Sequence, residues 1–112
     1  MPSPATTSII SSRPEVAGQA ASPPPLQPLQ LLVVCTANQC RSPLGEAIAA
    51  DGLRRRGQVG RVCSAGTEAV LGAPATPDAI ETARRRGLDL TSHLSRPVGP
   101  DLAAWANVIV TM

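Results

Sequence analysis

The sequence predicts an α/β fold with a doubly wound parallel sheet. Short apolar runs recur from residue 29 onward, and segments with helical spacing or helix-capping residues separate them. The runs are continuously apolar, without polar residues in alternation, which is typical of parallel strands covered on both faces. We therefore expect strands and helices to alternate along residues 29–112.

Residues 1–28 differ in composition from the remainder of the chain. They contain seven of the twelve prolines, including Pro23-Pro24-Pro25, and only two charged residues. Such a segment has no periodic apolar face, so we predict a disordered or polyproline-like tail. A docking ligand for a proline-recognising module and a misassigned start codon are the alternative interpretations.

The first predicted strand and helix flank a short turn. The run LQLLVV, residues 29–34, predicts a buried strand. Pro43 fits the first turn of a helix, Ser42 is a candidate N-cap, and the helical spacing continues to the arginine triplet 54–56. The residues between strand and helix consequently form a strand-to-helix turn.

A second strand and helix follow. The sequence VGRVCSAG, residues 59–66, predicts a strand that ends in a turn. Residues 78–86 predict a helix with Thr76 as its N-cap and Gly87 after its end.

The last part of the chain is predicted to hold less regular structure. Residues 88–100 are mostly irregular, residues 101–106 predict a short helix, and residues 107–110 predict another buried strand. Because this strand lies at the end of the chain, we expect the sheet to be incomplete at its C-terminal end.

Composition narrows the classes of function. The net charge of +2 and the single aromatic residue, Trp105, argue against a nucleic-acid partner. Three cysteines without a signal-like segment predict reduced thiols in the cytoplasm. No apolar run is long enough for a membrane span. The arginine-rich, lysine-free composition is associated with GC-rich bacterial genomes, and the oligomeric state is not predicted.

The sequence VCTANQCRS at the first turn predicts an anion site. In a doubly wound sheet, ligands bind at the carboxyl ends of the strands, where backbone N–H groups at the next helix start attract anions. Cys35 would face the centre of a tetrahedral oxyanion, and Arg41 would bind two of its oxygens. These donors would lower the pKa of the thiol and make it a nucleophile. The residues of the phosphate-binding turn are Thr36, Ala37, Asn38, Gln39 and Cys40.

Metal and cofactor sites are weaker interpretations of the same residues. Cys35 and Cys40 are too widely spaced for a CxxC site, Cys63 is remote in sequence, and His93 is a poor fourth ligand. The turn does not end in Gly-Lys-Ser/Thr, so it does not match a nucleotide-binding Walker loop. We therefore predict neither a metal nor a cofactor, and we interpret Cys63 as an ordinary small core residue.

The pattern Cys-x5-Arg-Ser-Pro after a strand resembles the low-molecular-weight protein tyrosine phosphatases and their arsenate-reductase relatives. Further matches are Ser64-Ala65-Gly66-Thr67, Gly87-Leu88-Asp89-Leu90, His93 and Arg96, so the resemblance covers residues 31–112. It implies a flavodoxin-like, phosphotyrosine phosphatase I-like sheet, and a partial phosphatase domain over residues 29–112.

The resemblance also implies roles for individual residues. Cys35 would attack phosphorus and form a phosphocysteine, and Arg41 would bind the phosphoryl oxygens. Ser42 would hydrogen-bond the thiolate, and Asn38 would hold the loop in shape. Cys40 would form a reversible disulfide that protects the nucleophile. The implied substrate is a phosphorylated protein or a small aryl phosphate.

Three departures from the family pattern are visible. Ala37 stands where the family usually has glycine, and a positive φ there would cost about 1 kcal/mol. Gln39 replaces a frequently apolar residue at the pocket rim. The family's general acid is an Asp followed by Pro, and this sequence contains no Asp-Pro. We interpret His93 as a structural hydrogen-bonding residue and not as a substitute acid.

Other functions remain open at this point. An impaired module could bind phosphate or phosphoproteins without turnover. A thiol-dependent arsenate reductase would need a disulfide relay, for which Cys63 is the only further thiol. The arginine triplets 54–56 and 84–86 are predicted to be solvated and to complement the helix dipoles, with attraction of phosphorylated substrates as the alternative. Trp105 is predicted to pack in the core.

Overall fold

A computed structural model describes residues 27–112 and confirms the predicted α/β fold. The elements are β1 (Leu29–Cys35), α1 (Arg41–Arg55), β2 (Gly60–Gly66), α2 (Pro77–Arg85), α3 (Pro100–Trp105) and β3 (Val108–Thr111). Every predicted strand and helix is present, with its ends within two residues of the expected position. Apart from its last two residues, the predicted N-terminal tail lies outside the described part of the chain.

The strands form one parallel sheet in the order β2-β1-β3. β1 pairs with β2 from Leu29 opposite Gly60 to Cys35 opposite Gly66, and with β3 from Leu31 opposite Val108 to Val34 opposite Thr111. The chain thus passes to one side of β1 for β2 and to the other side for β3. This reversal is the switch point at which doubly wound sheets bind their ligands.

Helices pack on both faces of the sheet. Leu32 and Val34 of β1 share one cluster with Ala65 and Ala106, against which Cys63 and Trp105 pack partly buried. A second cluster, built on the small residues of α2, packs against α1; its members are Ala75, Ala79, Ala83, Leu90, Leu44, Ala47, Ile80 and Leu88. The core placement predicted for Trp105 and Cys63 is therefore confirmed in part, since both are half-buried. No helix in residues 27–112 is long and apolar enough to cross a bilayer.

The two predicted helix caps have different outcomes. Thr76 caps α2, and its hydroxyl accepts a hydrogen bond from Ala79 N at 3.1 Å. The prediction that Ser42 caps α1 is wrong, because Cys40 is the N-cap and makes no side-chain cap bond. Ser42 lies inside the first turn, where its hydroxyl bonds elsewhere.

The prediction that β3 is buried is also wrong. Ile109 is 46% exposed and Val110 is 40% exposed. Neighbouring residues of a strand point to opposite faces, so both faces of β3 are open. The described helices contact β1 and β2, and β3 is the edge strand beyond them.

Replacing Leu32 with alanine should test this account of the core. Leu32 is 1% exposed on the central strand. We expect Leu32→Ala to lower the free energy of unfolding by about 2–5 kcal/mol, because it leaves a cavity between β1 and α3. Ile109→Ala, on the open edge, should cost less than about 1 kcal/mol. Urea denaturation followed by circular dichroism would measure both, and equal losses would contradict the assignment of the core.

Candidate phosphate-binding loop

The predicted anion-binding turn lies at the switch point of the sheet. Residues 36–40 connect the carboxyl end of β1 to the first turn of α1. The segment after β2 runs beside it, with Thr67 N donating to Cys35 O at 2.9 Å and Glu68 N donating to Thr36 O at 2.8 Å. The turn is therefore held from the side of β2.

Four loop carbonyl groups are bonded to donors outside the loop. Besides those of Cys35 and Thr36, the carbonyl of Asn38 accepts from His93 Nε2 at 2.8 Å, and that of Gln39 accepts from Thr76 N at 2.8 Å. In a trans peptide, the N–H group points away from the carbonyl that precedes it. Because these carbonyls point out of the loop, the N–H groups of the same peptide bonds point to its inner, concave side. They belong to Thr36, Ala37, Gln39 and Cys40. This arrangement suits a tetrahedral oxyanion.

The bond from His93 also answers the question that the sequence raised about this residue. Because a carbonyl oxygen only accepts, Nε2 of His93 is the ring nitrogen that carries the proton. His93 contacts the loop backbone and makes no described hydrogen bond to Cys35. Its predicted structural hydrogen-bonding role is confirmed.

Cys35 lies buried at the floor of the loop. Ser42 Oγ is 3.0 Å from its sulfur, and Asn38 N donates to the same sulfur at 3.3 Å. Burial raises the pKa of the Cys35 thiol, whereas the Ser42 hydroxyl, the backbone N–H groups of Ser42 and Asn38, and the Arg41 charge lower it. The balance places the pKa below its ordinary value, so the thiolate is favoured.

Asn38 joins the loop to three other parts of the chain. It is fully buried, and its φ of 57° is the only positive φ of a non-glycine residue in the described range. Its Nδ2 donates to Ser42 Oγ at 2.8 Å and to Ser64 Oγ at 2.9 Å, and its Oδ1 accepts from Arg96 N at 2.9 Å. Ala37 does not have a positive φ, so the condition for the predicted strain is not met.

These bonds fix the direction of the Ser42 hydroxyl. Ser64 donates its hydroxyl proton to Glu46 Oε1 at 2.6 Å and accepts from Asn38. Ser42 also accepts from Asn38, so its own proton is free to point at the Cys35 sulfur, which is nearer than its other acceptor, Ala65 O at 3.4 Å. A donor aimed at sulfur stabilises the thiolate.

Sequence reasoning missed the supporting roles of Ser64, Arg96 and Glu46. Ser64 and Arg96 appeared only as matches to a family, and Glu46 received no role. They lie 26, 58 and 8 positions from Asn38 in the sequence. A local pattern could have indicated only Glu46, which lies in the second turn of α1, close to the loop in sequence.

Gly66 allows the close approach of β2 to the loop. A Cβ placed on this residue would lie 2.4 Å from Thr36 O and 2.9 Å from Asn38 N, which is closer than such atoms approach. Glycine is therefore required here by space, whatever its backbone angles.

The remaining predicted residues lie around the loop. Arg41 is exposed, and its Nη1 donates to Met112 O at 3.1 Å, so one of its five N–H donors is in use. Cys40 is exposed, and both it and Cys35 are free thiols. Gln39 is at the rim, where its Nε2 donates to Pro74 O at 3.1 Å.

Comparisons with known proteins agree with this geometry. Residues 30–112 match the model of the family described as low molecular weight phosphotyrosine protein phosphatase. The chain is 37% identical over 82 residues to the low molecular weight protein-tyrosine-phosphatase Etp of Escherichia coli, covering 73% of this chain and 53% of that protein. It is 34% identical over 84 residues to a protein-arginine-phosphatase of Bacillus subtilis, covering 75% and 55%.

A solved structure shows the same similarity in three dimensions. A low molecular weight protein tyrosine phosphatase from T. tengcongensis superposes with a TM-score of 0.72 at 30% identity, covering 75% of this chain and 58% of that chain. The sheet is flavodoxin-like and incomplete relative to such proteins, since the chain spans about half the length of the curated relatives it matches.

Ser42→Ala should raise the pKa of Cys35. The substitution removes a hydrogen-bond donor that stabilises the thiolate, so the thiol form persists to higher pH. We would measure the rate of Cys35 alkylation by iodoacetamide against pH, with mass spectrometry to resolve Cys35 from the other thiols. Thr91→Ala is the control, because in the described part of the chain the hydroxyl of Thr91 bonds only to Asp89 Oδ1. A midpoint that did not rise in Ser42→Ala would contradict the assigned bond direction.

Gly66→Ala should distort the loop while leaving most of the fold intact. The added methyl must displace Thr36 O or Asn38 N, and overpacking of this kind costs about 1–3 kcal/mol. We expect inorganic phosphate to protect Cys35 from alkylation in the parent chain and to lose this effect in the variant. Gly99→Ala is the control, because a Cβ there meets nothing within 4 Å. Equal protection in all three proteins would show that the close approach is unimportant.

Proposed function

Because this chain belongs to the low molecular weight phosphotyrosine protein phosphatase family, we propose that it removes phosphoryl groups from phosphorylated proteins. The bond cleaved is that of phosphotyrosine or of another protein phosphomonoester or phosphoramidate. The observation that carries the proposal is the Cys35 thiol, which has a lowered pKa and lies at the floor of a loop with inward N–H groups.

The proposed reaction has two steps. In the first, the Cys35 thiolate donates its electron pair to phosphorus, and the P–O or P–N bond of the substrate breaks. In the second, water attacks the phosphocysteine, the P–S bond breaks, and phosphate and the thiolate are released. The loop N–H groups and Arg41 bind the phosphoryl oxygens throughout, which stabilises charge in the transition state. No step uses a cofactor.

The leaving group limits the expected rate. Residues 1–112 contain no Asp-Pro, so in a chain of these residues alone the proton for the leaving group would come from water, and loss of a general acid typically costs about 10² to 10⁴ in rate. A phenol with a pKa of about 10 depends on this proton more than an acidic aryl alcohol does. We therefore propose weak turnover of activated aryl phosphates and much weaker turnover of phosphotyrosine by this chain.

The protein substrate is proposed as a class. The relatives include proteins named for tyrosine and for arginine dephosphorylation. At the rim, Gln39 uses its amide N–H on Pro74, which leaves its Oε1 free to accept a donor from a substrate. The one aromatic residue of the sequence, Trp105, packs against the core cluster, and its carbonyl accepts from Gln30 near the start of β1, at the end of the sheet away from the loop.

We also propose a protective disulfide between Cys40 and Cys35. Both thiols are free and belong to the same short loop, with Cys40 exposed to oxidants in solvent. A disulfide would preserve Cys35 from higher oxidation and require a reducing compartment such as the cytoplasm for recovery. Arsenate reduction is not favoured, because the named relatives given above are phosphatases.

Rapid mixing with nitrophenyl phosphate tests the proposed function. We expect a burst of nitrophenolate equal to the protein concentration, because the first step releases the phenol before water hydrolyses the phosphocysteine. Cys35→Ser should give no burst, and Thr91→Ala should retain it. No burst from the parent chain, together with protection of Cys35 by phosphate, would support a binding module without turnover.

Leaving-group dependence checks the same mechanism. Steady-state rates for nitrophenyl phosphate, phosphotyrosine and phosphoarginine would be compared. Equal rates for nitrophenyl phosphate and phosphotyrosine would contradict the stated need for an external proton.

A further inference from the structure

Arginine side chains collect at the end of the molecule opposite the phosphate-binding loop. A Cβ placed on Gly60, the first residue of β2, would lie 3.2 Å from Leu53 Cδ1, so the end of α1 covers the start of the sheet. The end of α2 lies beside it, since Arg55 and Arg86 line one cavity. Seven arginines lie here, three at the end of each helix and one at the start of β2. They are Arg54, Arg55, Arg56, Arg84, Arg85, Arg86 and Arg61. We call this set the basic end.

Local ion pairs do not neutralise the basic end. Asp51 pairs with both Arg54 and Arg55, and Glu81 pairs with both Arg84 and Arg85. Two carboxylates are thus shared among four guanidinium groups, whose side chains remain 69–75% exposed. Within residues 27–112, no ion pair involves the other three arginines. The predicted solvent exposure of both triplets is confirmed, and an excess of positive charge remains.

A cavity opens between the two helices at this end. It has a volume of about 450 Å³ and is lined by Ile48, Asp51, Arg55, Arg86 and Leu88. The lining combines two aliphatic side chains, two guanidinium groups and one carboxylate. Ile48 is 39% exposed, so part of the apolar lining is open to solvent.

We propose that the basic end docks an acidic segment of a partner protein, with one apolar side chain of that segment inserted in the cavity. Carboxylates of the segment would pair with Arg55 and Arg86 in bidentate fashion. A backbone N–H of the segment would donate to Asp51, and the apolar side chain would contact Ile48 and Leu88. A polypeptide supplies all three kinds of group within a few residues.

Other polyanions match this lining less well. A nucleic-acid backbone offers no aliphatic group for Ile48 and Leu88, and its phosphates are repelled by Asp51. An anionic membrane surface favours apolar side chains that protrude from the protein, whereas these two line a concavity. Charge complementarity and the shape of the cavity therefore select an acidic protein segment.

Docking at this end leaves the phosphate-binding loop open. The seven residues of β1 separate the two ends of the sheet by about 20 Å. A bound segment would consequently not contact Cys35, so this proposal is independent of the proposed hydrolysis. The partner would instead be held at a fixed position relative to the loop.

Fluorescence anisotropy with a labelled peptide tests the proposal. The probe is a fluorescein-labelled oligoglutamate peptide with a central leucine, titrated with the full chain. We expect Arg86→Glu to weaken binding by about tenfold, because it reverses a charge on the cavity wall. Arg84→Glu makes the same charge change two residues earlier, in the last turn of α2 and outside the cavity, and it should weaken binding by less than about threefold. Circular dichroism would confirm that both variants are folded.

Two further binding measurements separate the apolar contact from the charged contacts. Replacing the leucine of the probe with glycine should weaken binding to the parent chain but not to Ile48→Ser, which has lost the apolar contact. Arg55 lines the same cavity from the end of α1, so Arg55→Gln should also weaken binding of the probe. Equal weakening by Arg84→Glu and Arg86→Glu, or equal affinity for a single-stranded oligonucleotide or phosphatidylserine vesicles, would overturn the proposal.

Discussion

The hydrogen bonds of one buried side chain, Asn38, hold the candidate site together. Its amide reaches the start of α1 through Ser42, the end of β2 through Ser64 and the irregular segment at Arg96. A glycine would adopt the same positive φ with less strain but would lose all three bonds. The identity of this residue is therefore set by its bonding more than by its backbone angle. Asparagine tolerates that angle better than most residues.

Irregular segments contribute as much to the loop as the sheet does. Residues 88–99 contain no helix or strand, yet they supply His93 to a loop carbonyl and Arg96 to the Asn38 amide. The segment is fixed in turn by the bridge between Pro74 and Leu94 and by the buried hydroxyl of Ser95. Loss of these contacts would free the loop carbonyls to turn inward and cancel the field of the N–H groups.

Sequence alone predicted those features that depend on neighbouring residues. The cap at Thr76, the end of α2 before Gly87 and the turn around Cys35 follow from local patterns. The bond of His93 to Asn38 spans 55 positions and has no local signal. Ser42 was misplaced because a hydroxyl beside a helix start is equally suited to capping and to a tertiary bond. The apolar sequence of β3 indicates that its side chains favour a buried environment, but it does not show which elements of the described chain cover them.

The separation of charge gives the molecule a permanent electric dipole. Seven arginines and two carboxylates, Asp51 and Glu81, lie at one end of the sheet, whereas the other described charged side chains are two arginines and five carboxylates. In the field of a large polyanion, such a body experiences a torque before any contact forms, and the basic end turns toward the source. Added salt would shorten the range of this alignment to about 8 Å at physiological ionic strength. Close to a negatively charged surface, the loop at Cys35 would then face outward, toward whatever approaches from solution.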